Sequence, residues 1–75
     1  MEEEVNKNNL VVGDIIMVEQ AWEDEMGNYH DEAAEIKAID EKGELALEFY
    51  EAPEKVKEFL AGTDGYMAND YRKES

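Results

Sequence analysis

The sequence predicts a small, mainly β domain with one short helix in its C-terminal half. Three observations predict it. Apolar and polar residues alternate over 34–38, and Leu45, Leu47 and Phe49 recur at every second position, the period-2 pattern of half-buried strands. Gly27 and Gly43 lie in polar segments beside those runs, where the chain is suited to reverse. Only one stretch, 51–62, carries an apolar stripe of helical spacing instead.

Taken in order, residues 1–9 form a polar, acidic arm expected to be disordered, and 10–71 a single small β-rich domain. Leu10, Val11 and Val12 lead into a turn at Gly13 and Asp14. Residues 15–22 are rich in β-branched and apolar side chains and predict the first strand. The polar stretch 23–30 follows, with Gly27-Asn28 at its middle. Both residues tolerate positive φ, so the chain is expected to reverse there.

A second strand is predicted over 32–40. Ala34, Ile36 and Ala38 alternate with Glu35 and Lys37, and Ile39 breaks the pattern as a bulge would. "DEKGE", residues 40–44, is a tight-turn signature: Asp40 opens it and Gly43 takes the left-handed position. The third strand, 44–50, sets Leu45, Leu47 and Phe49 on one face.

In the helical stretch 51–62, Pro53 suits the first helical position and Glu54 faces the positive helix start. Val56, Phe59 and Leu60 make the stripe, and Gly62 is a natural stop. A helix this short is unstable alone and must pack on the sheet. Residues 63–65 turn the chain again. A last strand is expected within 66–71, with Tyr66 and Ala68 on one side, before a flexible tail at 72–75.

This order of strand, long hairpin, strand, tight turn, strand, helix and last strand resembles the small SH3-like barrels, which include Tudor-type and KOW-type domains. The resemblance lies in layout and covers 13–71. It implies a partly open barrel. The "ALYDY" stretch and Trp pair of peptide-binding SH3 domains have no counterpart in the chain. The alternative is an α+β layout, one helix capping an antiparallel sheet.

Composition bounds the function. The chain has 75 residues and no cysteine, so neither a disulfide nor a thiolate is available. The only serine is Ser75 and the only threonine is Thr63, so the common nucleophilic triads cannot be assembled. No phosphate-binding glycine loop is present. The expectation is a protein that is not an enzyme and uses no cofactor. The acidic, polar start differs from a signal peptide, and the longest apolar run, 15–18, is far below the ~20 residues of a membrane helix. A cytoplasmic location is expected.

Charge is the strongest signal: 21 acids against 7 bases, a net charge of −14. Direct binding to nucleic-acid phosphate or to an anionic membrane needs the opposite sign. From Gly13 to Ile36 there are eight acids and no base. The first hairpin is therefore expected to form a negative pole holding Trp22, Met26 and Tyr29. Aromatic anchors among acids suit a basic partner. The candidate contact residues are Trp22, Glu23, Asp24, Glu25, Met26, Tyr29, Asp31 and Glu32, and the expected partner is a basic protein or protein segment.

Three other readings stand beside this one. A DNA mimic would need carboxylates spaced like phosphates. An aromatic-cage reader of methylated Lys or Arg would need three or four aromatics to cluster with an acid, drawn from Trp22, Tyr29, Tyr50, Tyr66 and Tyr71. A divalent-cation binder is the weakest. An EF-hand template begun at Asp24 puts Tyr29 at the obligatory glycine, one begun at Glu23 puts Gly27 and Ala34 at ligand positions, and His30 with Asp31 and one more carboxylate would make only a weak adventitious site.

Overall fold

The computed structural model describes residues 4–59 and 65–74. Strands β1 (Ile15–Glu23), β2 (Tyr29–Ile39), β3 (Glu44–Phe49) and β4 (Tyr66–Met67) form one antiparallel sheet in chain order. Helix α1 (Pro53–Phe59) lies between β3 and β4. The sheet curls into a half-barrel, so the protein is a small, mainly β domain with one short helix. Leu60, Gly62 and the turn expected at 63–64 lie outside the described residues.

Two hairpin turns are built alike. In "DEMGN" (24–28) and "DEKGE" (40–44), the opening Asp accepts two backbone N–H groups on one carboxylate oxygen. Met26 and Asn28 donate to Asp24 at 2.9 and 3.0 Å. Lys42 and Glu44 donate to Asp40 at 2.9 and 2.8 Å. Gly27 and Gly43 both sit at φ 85, each donating to the opening Asp carbonyl. This is a tight turn followed by a left-handed glycine, the common route for a hairpin of this loop length.

Two bulges adjust which side chains face inward. In β1, residues 19–21 stand opposite Asp31 alone, between the pairs Val18–Glu32 and Trp22–His30. Gln20 takes φ 53 there and its N–H donates to Asp31 Oδ1 at 2.9 Å. The inward face therefore passes from Ile16 and Val18 to Ala21. In β2 the register shifts between Ile36 and Ala38. Ala38, expected inside with Ala34 and Ile36, turns outward, and Ile39 packs on the core instead. The single extra residue of the β2 bulge reverses the two faces beyond it, whereas the two extra residues in β1 return Trp22 to the side of Val18.

The core lies inside the curl. Ile16 and Val18 of β1, Ala34 and Ile36 of β2, and Leu45 and Phe49 of β3 are buried, with Val56 of α1 and Leu10 closing the layer. Pro53 opens the helix as expected, and its buried residue is Val56. A short helix gains its stability from this packing.

The last strand is shorter than the sequence predicts. After Tyr66 and Met67 the chain enters a 3-10 turn, Ala68–Asp70. Ala68 N–H donates to the Gly43 carbonyl at 2.7 Å, continuing the β3–β4 register by one bond, and Tyr71 N–H then closes the turn on the Ala68 carbonyl at 3.3 Å. Beyond the turn, Lys73 pairs with Ile16 and Glu74 N–H donates to the Ile15 carbonyl at 2.7 Å. Residues 73–74, assigned to a tail by the sequence, thus meet the open edge of β1. Residues 4–8, assigned to the arm, bond to the 3-10 turn and the residue after it. Lys7 N–H donates to Asn69 Oδ1, Asn69 donates to the Glu4 carbonyl, and Asn8 donates to the Tyr71 carbonyl.

Candidate functional site

The end of the β1–β2 hairpin is organised by Asp24. One carboxylate oxygen caps the turn through Met26 and Asn28, and the other lies 2.8 Å from His30 Nε2. An ionised carboxylate only accepts, so that nitrogen carries the hydrogen. These donors hold the Asp24 carboxyl down from 3.8 to about 2, the His30 bond being the largest cause and the Asn28 N–H the next. Asp31 and Glu32 adjoin His30 in sequence, but the acid that meets its ring is Asp24.

His30 in turn supports Trp22. The two residues are a direct cross-strand pair, and their rings stack with centroids 4.0 Å apart and planes 12° apart. The indole N–H donates to Glu32 Oε2 at 3.0 Å. Glu32 is 7 % exposed, and its Oε1 has no hydrogen-bond partner among the described residues. Trp22 is thus supported on one face and pinned at one edge. It is half-buried, part of the inner wall and part of the surface.

Helix α1 completes the site. Lys55 Nζ lies over the Trp22 ring, 5.1 Å from its centroid. Phe59 meets Tyr29 edge-on at 6.3 Å. Between hairpin end and helix runs an open groove of about 590 Å³, lined by Trp22, Met26 and Phe59 with Glu23, Asp24, Glu25, Glu58 and Lys55. Met26 is 87 % exposed at its rim.

Five of the eight candidate contact residues therefore share one groove: Trp22, Glu23, Asp24, Glu25 and Met26. Tyr29 stands beside it through Phe59. The remaining two point elsewhere: Asp31 bonds the β1 bulge, and Glu32 is buried under the Trp22 edge. Lys55, Glu58 and Phe59 were not among the candidates. Their common signal is the helix itself, but only its packing sets them opposite the hairpin. The segment from 13 to 36 is free of bases in sequence, yet in space it receives Lys55.

The five aromatic residues considered for a cage do not converge. Tyr66 contacts Phe49 and Tyr71, at 5.8 and 6.0 Å, while Tyr50 donates to Glu35 Oε1 at 3.3 Å on the outer face. Among the described residues, no group of three or more His, Asp or Glu is placed to hold a metal ion. Nor, among them, is any helix long and apolar enough to cross a membrane. Comparison with known proteins returns no match, whether to family models, curated proteins or solved structures.

Proposed function

We propose that the protein is a non-enzymatic interaction module that docks a basic protein segment at the end of its first hairpin. The groove between hairpin and helix carries this reading. Its apolar surface comes from Trp22, Met26 and Phe59, and four carboxylates surround it against one lysine. Aromatic and thioether side chains supply contact area, and the acids steer a cationic partner and fix its register. The excess of 14 negative charges over the whole chain adds to that attraction. An SH3-like assignment of the half-barrel belongs to the same proposal. It is supported by the 3-10 turn after β4 and by the pairing of Lys73 with Ile16.

The test uses charge reversal at positions that leave the turn intact. Asp24 is kept because it caps the hairpin. Replacing Glu23, Glu25 and Glu58 with Lys should weaken binding of a lysine-rich peptide by on the order of tenfold or more, and wild-type affinity should fall as salt rises. Affinity that ignores both changes would overturn the proposal. Duplex DNA competing for a captured native partner would select the DNA-mimic reading instead.

A further inference from the structure

The open face of Trp22 is occupied by the protein's own cation. His30 covers one face of the indole at 4.0 Å, so an ammonium over the ring has room only on the other, the face that lines the groove. That face is a rigid platform. His30 is held by Asp24, and the indole N–H is held by buried Glu32. A fixed aromatic face bordered by acids attracts a cation through the ring quadrupole and through the surrounding field.

Lys55 fills this place loosely. Among the described residues, no ion pair joins it to a carboxylate. Lys37 on the outer face, by contrast, lies 3.3 Å from Glu35 and 3.7 Å from Glu48. A lysine held over a ring by a long stem, without a carboxylate partner, is readily replaced.

We infer that Lys55 stands in for the partner: a Lys or Arg side chain of the docked basic segment takes the Trp22 face, and Lys55 leaves it. Lys55 plays this part only if the groove docks a basic segment, as proposed above. Charge complementarity selects that occupant. The groove has an aromatic floor and an acidic rim, and its single base already sits where the incoming cation would lie. Lys55 then acts as a built-in competitor, setting a threshold that a weakly basic segment fails to cross.

The experiment compares Lys55→Met with Lys57→Met, using a lysine–glycine repeat peptide as the probe. Both variants remove one positive charge from α1, but Lys57 lines a different groove, between α1 and β3. Lys57→Met therefore reports the change in net charge alone. Lys55→Met should tighten binding by a further two- to fivefold or so, the usual worth of an exposed cation over an aromatic ring. In the wild-type protein, the side-chain protons of Lys55 should lose their ring-current NMR shift as the peptide saturates the site. Equal gains from the two variants would overturn the displacement while leaving the docking function in place. So would a Lys55 shift that persists in the bound state. A peptide that fails to bind the wild-type protein at low salt would overturn both.

Discussion

The imidazole of His30 lies on the indole of Trp22, with ring centroids 4.0 Å apart, while its Nε2 reaches Asp24 at 2.8 Å. One histidine thus links the hairpin turn to the aromatic floor of the groove. Trp22 is the only tryptophan, so its emission reports this contact without interference. His30→Ala uncovers the stacked face of the indole to water, so Trp22 emission should shift to longer wavelength. An unchanged emission maximum would contradict the stack.

Acid stability should depend on Asp24. Its carboxyl is held down from 3.8 to about 2, so the folded state binds this proton less readily than the unfolded state. The stabilisation is complete above about pH 4 and is lost as pH falls from there to about 2. Asp24→Asn should lower the melting temperature at neutral pH and flatten its dependence on pH in that window. Equal slopes in variant and wild type would show that the His30 and turn bonds contribute nothing.

Glu32 and Trp22 should behave as a coupled pair. Trp22→Phe removes the one hydrogen bond that reaches the buried Glu32 carboxyl among the described residues, a loss of about 1–3 kcal/mol. Adding Glu32→Leu should restore part of that stability, because both polar partners are then gone. The coupling is read from denaturant unfolding of the two single variants and the double variant. Additive losses would mean that the bond contributes no stability.

The two hairpin glycines share φ 85 but not their surroundings. Gly27→Ala introduces a methyl into open space near Glu23 and should cost about 1–2 kcal/mol, the penalty of a left-handed non-glycine residue. Gly43→Ala also drives its methyl into the Val5 carbonyl oxygen and comes within 3.1 Å of Val5 Cβ, so its cost should be roughly twice as large. Thermal unfolding of the two variants checks the order, and a similar loss from both would show that residues 4–9 yield without penalty.

Much of the fold was legible because its signals are carried by neighbouring residues. Leu45, Leu47 and Phe49 declared their common face by spacing alone, and Pro53 marked the helix start. "DEKGE" announced its turn, and "DEMGN" uses the same bonds, although only its Gly27-Asn28 pair had been singled out. The β1 bulge was not legible. Gln20 has no intrinsic preference for φ 53, and Asp31, eleven residues away, accepts its N–H. The 3-10 turn after Met67 was not read either, although Asn69-Asp70 is a pair that favours turns.

The sequence by itself determined a small acidic β domain, the order of its elements and the concentration of acids around one hairpin. Periodicity, turn chemistry and charge are local or additive, so they survive without coordinates. Glu32 shares the inward side of β2 with Ala34 and Ile36 by the strand period alone. Only the tertiary structure decided that its carboxylate meets the indole N–H, that His30 meets Asp24 and not the adjacent Asp31, and that Lys55 lies on the ring. Those contacts depend on how the turn closes, on the β1 bulge and on where α1 docks, and a residue's spacing states only its face, not its partner.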